Sequence, residues 1–158
     1  MLAPNGSDLS RMGIGAMSFS SFYGDVTRDQ VFAVLDAAIE LGVNHIDTAN
    51  VYGMGVSEAH IGAYFAANPA ARGHFHLASK GGITDKSDPN RPFNNSKEFL
   101  SAELDASLTR LGVDHLDLYY VHRRDQSIPI EEVTETLAGF VAAGKIRAFG
   151  YSELSPTS

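Results

Sequence analysis

Four polar residues of types that can share proton-transfer chemistry occur in order along the chain: Asp47, Tyr52, Lys80 and His122. Tyrosine is a weak proton donor at neutral pH, but a neighbouring ammonium favours its ionised form, and a carboxylate can hold that ammonium in place. A histidine beside them can position a carbonyl oxygen. Together the four residue types can form an acid–base site.

Each of the four also has a structural explanation when it is considered alone. Asp47 can cap a turn, Tyr52 can pack within a loop, Lys80 can be solvated, and His122, next to two arginines, can lie on the surface. The catalytic interpretation therefore depends on a fold that brings the four together. The strands predicted below end on one face, with Asp47 after the second strand, Tyr52 in the loop that follows it, Lys80 after the third strand and His122 after the fourth.

A seven-residue repeat indicates the helices and strands that would position these four residues. Leu41-Gly-Val-Asn-His-Ile-Asp47 recurs as Leu111-Gly-Val-Asp-His-Leu-Asp117, with five of seven positions identical. Each copy follows a segment with apolar residues at helical spacing and leads into a run of β-branched, aromatic and leucine residues. Each copy therefore predicts the end of a helix at a glycine, Gly42 or Gly112, followed by a strand.

The helices before the two copies have recognisable starts and buried faces. The first is predicted to begin at Thr27, where Thr-Arg-Asp-Gln is a capping-box pattern, and the second near Asn95. The predicted buried residues are Val31, Val34, Leu35, Ala38 and Leu41 in the first helix, and Leu100, Leu104, Leu108 and Leu111 in the second.

Strand and helix alternate along the whole chain. Further helices at about 57–67 and 131–143 lead to strands at about 74–80 and 146–151, and the opening strand is predicted near 12–19. Strand starts recur mostly every 31 residues or so, the length of a βαβ unit. This predicts an α/β fold of parallel (β/α) TIM-barrel type, a single domain over residues 1–158 with about four and a half of the eight units. A Rossmann sheet is disfavoured because Gly13-Ile-Gly15-Ala-Met-Ser18 lacks the third glycine of its fingerprint.

One strand-to-helix connection is longer than the others. The polar segment 81–95, which contains Asp88-Pro-Asn-Arg-Pro92, follows the third strand. In a barrel such loops emerge on the face that carries the active site, which favours a functional role. A tolerated surface insertion is the alternative.

Composition excludes several kinds of partner. The net charge of −7 and a pI near 5.2 provide no basic field for nucleic acid. The absence of cysteine excludes disulfides and cysteine-ligated zinc and fits a reducing compartment. The first residues have neither the basic region nor the apolar run of a signal peptide, and no apolar stretch is long enough to cross a membrane. We therefore expect a cytoplasmic protein without a membrane partner.

Several segments, in order, resemble the signature segments of the aldo/keto reductases. They are Arg11-Met-Gly-Ile-Gly-Ala-Met17, Asp47-Thr-Ala-Asn-Val-Tyr52-Gly, Ser79-Lys80-Gly, Leu116-Asp-Leu-Tyr-Tyr-Val-His122-Arg and Gly144-Lys-Ile-Arg-Ala-Phe-Gly-Tyr-Ser152. The resemblance implies reduction of an aldehyde or ketone by NADP(H) or NAD(H), with Tyr52 as general acid in a tetrad with Asp47, Lys80 and His122. It also implies that Gly15, Ala16, Met17, Asp47 and Ser152 line the cofactor. Glu153 departs from the asparagine that many relatives have at that position.

The resemblance covers only the first half of the family's barrel. In the family, the segments after strands seven and eight bind the pyrophosphate and the adenosine phosphate, so this part of the cofactor site is expected elsewhere. Unpaired edges on the first and fifth strands invite self-association. The sequence leaves open a fragment of a longer reductase, a natural truncation, and a half-barrel that pairs with a second copy.

Other chemistries remain open from the residues alone. A Schiff-base aldolase would use Lys80 as its nucleophile and need no cofactor. A metal-dependent hydrolase would draw ligands from His45, Asp47, His74, His76 and His122, although the recurrence of His45 as His115 indicates a repeated junction instead. A third alternative is a chain that folds or pairs without turnover. Gly53 and Gly55 suggest a phosphate-binding loop only weakly.

Overall fold

The computed structural model describes residues 8–84, 92–153 and 155. Within them, parallel strands alternate with α-helices: β1 (Ile14–Gly15), α1 (Arg28–Glu40), β2 (His45–Asp47), α2 (Val56–Ala67), β3 (His76–Gly81), α3 (Lys97–Leu111), β4 (Leu116–Val121), α4 (Ile130–Ala142) and β5 (Ile146–Tyr151). Two short 3₁₀ segments lie at Ala16–Ser20 and Pro69–Gly73. The predicted strand–helix alternation is confirmed.

The strands form one sheet in which each strand pairs only with its neighbours in the sequence. The order is β1-β2-β3-β4-β5 and every pair is parallel. In the register, Asp47 lies opposite Ala78 and Lys80 lies opposite Tyr120. Because side chains alternate between the faces of a strand, Asp47 and Lys80 project from the same face. The sequential order of parallel strands is that of a (β/α) barrel, and the described strands leave β1 and β5 at the edges.

The helix ends follow the local signals in the sequence. Thr27 caps α1 through a reciprocal pair, since its hydroxyl accepts from the Gln30 amide at 3.3 Å and its own amide donates to Gln30 Oε1 at 2.8 Å. At α3 the cap is Ser96, one residue later than predicted, because its side chain accepts from the Phe99 amide at 3.3 Å. Gly42 and Gly112 follow the two helices with φ of 70° and 65°, as predicted.

The core lies between the sheet and the helices. The stripe Val31, Leu35 and Ala38 of α1 is buried, but Val34 and Leu41 are 46% and 78% exposed, so their predicted burial is wrong. At 100° per residue both lie about 60–80° to one side of that stripe, on a single flank of α1. In α3, Leu100, Leu104 and Leu111 are buried and Leu108 is partly buried against the core, as its helical position predicts.

The first strand is shorter than predicted. Only Ile14 and Gly15 pair with β2, and the chain then turns into the 3₁₀ segment Ala16–Ser20. Side chains of α2 bond this segment, because Ser57 Oγ donates to the Ala16 carbonyl at 2.8 Å and His60 Nδ1 lies 2.9 Å from the Phe19 carbonyl. These carbonyls are therefore satisfied by a helix instead of a strand partner, and the predicted strand over 12–19 ends early.

Candidate active site

Lys80 is the centre of the polar cluster at the carboxyl ends of the strands. Its Nζ lies 2.7 Å from Asp47 Oδ1, 2.9 Å from the Thr48 carbonyl and 3.5 Å from Tyr52 Oη. The lysine is only 7% exposed, so its charge is desolvated and needs these oxygens. An ammonium has three protons, and the three contacts direct one toward the phenol oxygen.

Tyr52 is held by a compact loop between β2 and α2. The Tyr52 amide donates to the Ala49 carbonyl at 3.2 Å, and the Tyr52 carbonyl accepts from the Ser57 amide at 3.2 Å. The next residue, Gly53, has φ of 62°, and a Cβ there would lie 2.8 Å from Ser20 Cβ. Glycine is required at this position because the backbone is left-handed and the space is closed. This assigns Gly53 to shaping the loop that carries the phenol.

His122 lies against the ring of Tyr52. The two ring centroids are 6.0 Å apart in an edge-to-face arrangement, and the His122 amide donates to the Gly81 carbonyl at 2.8 Å. Burial lowers the pKa of His122 to about 4, and the nearby cations Lys80 and Arg123 contribute to the same shift to a smaller extent. The imidazole is therefore neutral at neutral pH and can donate one N–H to an oxygen beside the phenol.

The structure thus brings all four predicted catalytic residues together. Asp47 ends β2, Lys80 lies near the end of β3, and His122 directly follows β4. The Asp47 side chain is 37% exposed, so the cluster is open on one side. The structural explanations given for Lys80 as a solvated side chain and for His122 as a surface residue are wrong, because both residues are buried.

The residues predicted to line a cofactor lie on both sides of this cluster. Gly15 pairs with Asp47 in the sheet, and the buried Ala16 and half-buried Met17 follow it. Ser152 follows β5, where its amide donates to the Val121 carbonyl at 2.9 Å. All of them lie at the carboxyl ends of the strands, which is the end on which the tetrad lies.

Sequence reasoning missed a set of buried polar residues behind the cluster. Glu58 and Ser57, in the first turn of α2, are fully buried, and Glu58 accepts from Ser79 Oγ and from Arg110. A serine and a glutamate at the start of a helix are typical of an ordinary solvated first turn, so residue type alone does not predict their burial. The available signal for a role at the site was their position, four and five residues after the segment that runs from Asp47 through Tyr52 to Gly53.

The structure gives no support to the metal-hydrolase hypothesis and describes only part of the long loop. The described residues contain no group of three or more His, Asp or Glu able to hold a metal ion, and His74 Nε2 lies 3.1 Å from the Val43 carbonyl. Of the long loop 81–95, residues 85–91, which include Asp88, lie outside the described residues. Its flanks run antiparallel through a bridge between Ile83 and Phe93. In the part of the chain that the structure describes, no helix is long and apolar enough to span a membrane.

Sheet order and site together define half of a parallel (β/α) barrel with an acid–base cluster at the carboxyl ends of its strands. The model of the aldo/keto reductase family matches residues 11–158. The chain belongs to the aldo/keto reductase family, and the resemblance seen in its sequence is confirmed.

Individual relatives agree with this family. The chain is 35% identical over 156 residues to probable aldo-keto reductase 1 of Glycine max, and the matched region covers 98% of the chain and 44% of that relative. It is 38% identical over 145 residues to aldo-keto reductase yakc (NADP(+)) of Schizosaccharomyces pombe, covering 91% of the chain and 42% of the relative. The chain therefore spans less than half the length of these two relatives.

Solved structures give the same result for the fold. The holo form of aldo-keto reductase AKR11C1 from Bacillus halodurans superposes with a TM-score of 0.83 at 27% identity, covering 99% of this chain and 50% of that one. An aldo-keto reductase from Klebsiella pneumoniae in complex with NADPH superposes with a TM-score of 0.81 at 30% identity, covering 98% and 49%. The chain has the fold of one half of these proteins.

Proposed function

We propose that this chain carries the proton-transfer site of an NADP(H)- or NAD(H)-dependent reductase of aldehydes or ketones, with Tyr52 as the general acid. The observation that supports it most directly is the Lys80 ammonium, which lies between the Asp47 carboxylate at 2.7 Å and the Tyr52 oxygen at 3.5 Å. NADP(H) is the preferred cofactor because the Klebsiella pneumoniae structure is a complex with NADPH and the Schizosaccharomyces pombe relative has NADP(+) in its name.

The four side chains have separate tasks in this proposal. Tyr52 donates its phenolic proton to the carbonyl oxygen of the substrate, and Lys80 stabilises the negative charge that remains on the phenol. Asp47 fixes the ammonium, and the neutral His122 donates an N–H to the same carbonyl oxygen. A neutral imidazole suits this task because it can orient the oxygen without carrying a third charge beside Lys80 and Asp47.

The residues present fit the nicotinamide end of the cofactor. Asp47 is partly exposed beside the buried lysine, and at its sheet neighbour Gly15 an added Cβ would meet no atom within 4 Å, so there is open space beside the carboxylate. Ala16 and Ser152 follow β1 and β5 at the same end of the sheet. These residues, with Met17, would hold the nicotinamide, which supplies the hydride when it is bound.

The rest of the cofactor site would come from outside the described sheet. Strands with unpaired edges accept further strands, and β1 and β5 are the edges of this sheet. We propose that further (β/α) units complete the barrel there, either from a longer product or from a second copy of the chain. Sedimentation velocity of the 158-residue chain by itself distinguishes the two, since pairing with a second copy gives a species of twice 17.0 kDa, whereas a piece of a longer product stays at 17.0 kDa. We also propose a cytoplasmic location, because a chain without cysteine fits a reducing compartment.

Replacement of Tyr52 by phenylalanine tests the proposed acid. The substitution keeps the ring against His122 and removes only the hydroxyl, so carbonyl reduction should fall by about 100-fold or more while NADPH affinity is retained. Turnover is measured by NADPH oxidation and affinity by the fluorescence of bound NADPH. Val51→Ala, in the same loop but outside the cluster, is the matched control and should retain activity. Undiminished turnover in Tyr52→Phe would remove the phenol from the mechanism.

The aldolase alternative has a different signature. A Schiff-base lysine must present a neutral amine to the substrate, whereas Lys80 is bonded to a carboxylate and to a backbone carbonyl. Borohydride treatment in the presence of an aldehyde should therefore leave Lys80 unmodified in a mass spectrum. A reduced adduct on Lys80 would favour the aldolase over the reductase.

A further inference from the structure

The first turn of α2 contacts three strand ends through two adjacent side chains. Ser57 Oγ donates to the Ala16 carbonyl at 2.8 Å and lies 2.9 Å from Thr48 Oγ1. Glu58 Oε1 accepts from Ser79 Oγ at 2.6 Å. Ser57 and Glu58 are both fully buried. Their partners are the residues directly after β1 and β2 and the residue of β3 that precedes Lys80.

Glu58 is a buried carboxylate, and among the described residues its ion-pair partner is Arg110. Arg110 of α3 lies 2.7 Å away and is partly exposed, so the pair connects α2 to α3 at one end and to β3 at the other. A carboxylate without exposure is retained only when hydrogen bonds and a counter-charge satisfy it. The glutamate therefore has one rigid arrangement, in which one oxygen faces Arg110 and the other faces Ser79.

This arrangement constrains both partners of the Lys80–Thr48 hydrogen bond. Ser79 and Lys80 are consecutive in β3, so the bond from Ser79 to Glu58 fixes the strand on its helix side while the lysine extends on the other side. Thr48, whose carbonyl accepts from Lys80 Nζ at 2.9 Å, is fixed on the same turn of α2 through Ser57. Two neighbouring residues of one helix, Ser57 and Glu58, thus fix the positions of both the donor and the acceptor of this hydrogen bond.

We propose that Ser57 and Glu58 are positioning residues that place the Lys80 ammonium between Asp47 and Tyr52. The hydrogen bonds described for the side chains of Ser57 and Glu58 go to Ala16, Thr48 and Ser79 and not to Asp47 or Tyr52, and Ser57 meets Tyr52 through the backbone alone, so the two residues act on the lysine through Ser79 and Thr48. The consequence for catalysis rests on the reductase function proposed above, but the position of the lysine does not, so it can be measured without turnover.

The decisive measurement is the reactivity of the Lys80 amine in the 158-residue chain. Competitive acetylation with trace acetic anhydride, quantified by mass spectrometry, gives the reactivity of Lys80 relative to the exposed Lys97. Ser79→Ala removes one oxygen and leaves the Glu58–Arg110 pair in place. Losing this bond should loosen the strand end and raise the Lys80:Lys97 ratio about fivefold, the effect of one hydrogen bond. Ser57→Ala should raise the ratio similarly, since it releases Thr48.

The chain offers a matched control at the other end of the same strands. Asp117 is a second buried carboxylate with an arginine partner, since Arg72 lies 3.1 Å away and the Leu77 amide donates to it at 2.9 Å. Asp117→Asn disturbs β3 and β4 near their amino ends. It should therefore lower stability without changing the Lys80:Lys97 ratio.

The outcomes separate positioning from general stability. A raised ratio in Ser79→Ala and Ser57→Ala, with an unchanged ratio in Asp117→Asn, supports the proposal. An unchanged ratio in folded Ser79→Ala, or an equal rise in Asp117→Asn, overturns it. In a preparation that reduces a carbonyl, Ser79→Ala should also lower kcat about tenfold with the KM for NADPH unchanged. Absence of turnover in the unsubstituted protein would count against the reductase function alone, because the labelling ratio would still report the position of the lysine.

Discussion

Replacement of His122 by asparagine should remove a pH dependence from the stability of this fold. The histidine is 7% exposed, and burial with the neighbouring cations lowers its pKa from 6.5 to about 4. In the unfolded chain the imidazole takes up a proton near pH 6.5, whereas the folded imidazole stays neutral down to about pH 4. Between these values the unfolded state binds more protons, so stability falls as the pH is lowered through this window and is unaffected above it.

The size of the effect follows from the same two pKa values. The complete difference corresponds to about 3 kcal/mol of unfolding free energy, and about 2 kcal/mol of it is lost between pH 7 and pH 5. Asparagine removes the titrating ring. Between pH 7 and pH 5 the unfolding free energy of His122→Asn should therefore fall by about 2 kcal/mol less than that of the unsubstituted chain, whatever the stability of the variant at pH 7.

Urea denaturation followed by circular dichroism, at pH 7 and pH 5, measures this difference for the two proteins. The other five histidines are common to both, so their contributions cancel. An identical change with pH in both proteins would refute the reasoning, because it would mean that His122 takes up a proton in the folded state as readily as in the unfolded one. It would also remove the basis for a neutral imidazole at the site.

Two further predictions concern the scaffold and are checked by the same denaturation assay. Gly62→Ala should destabilise the chain by about 3 kcal/mol, because the new Cβ would lie 2.1 Å from the Arg110 carbonyl oxygen where α2 meets α3. The matched substitution Gly139→Ala, in α4 with no atom within 4 Å, should stabilise by about 0.5–1 kcal/mol, and equal effects at the two glycines would contradict the packing described here. Thr27→Ala should cost about 1 kcal/mol through loss of the reciprocal cap with Gln30, and an unchanged midpoint would show that the cap contributes nothing.

Local signals in the sequence were sufficient for most of the architecture. The repeat around Gly42 and Gly112 fixed two helix ends, and the capping pattern at Thr27 fixed a helix start, because each is decided by residues a few positions apart. The spacing of the units then implied parallel strands in sequential order. The length of β1 was missed because it depends on bonds from Ser57 and His60, which are far away in the sequence.

The site was predictable as far as residue type and strand position determine it. Asp47, Lys80 and His122 follow from their places at the ends of strands, and Tyr52 from the loop between them. The contact between Lys80 and the Thr48 carbonyl was not predictable, since a backbone acceptor leaves no mark on composition. Nor was the burial of Glu58, whose counter-charge Arg110 lies 52 positions away on another helix.

The sequential order of the sheet also has a consequence for how the chain folds. Each strand pairs with the strand before it in the sequence, so every unit can dock as soon as it has left the ribosome, without waiting for a distant partner. Synthesis from the amino terminus therefore extends the sheet at one edge only, from β1 toward β5. The edge formed last, at β5, is the template on which the next strand of a growing barrel would nucleate.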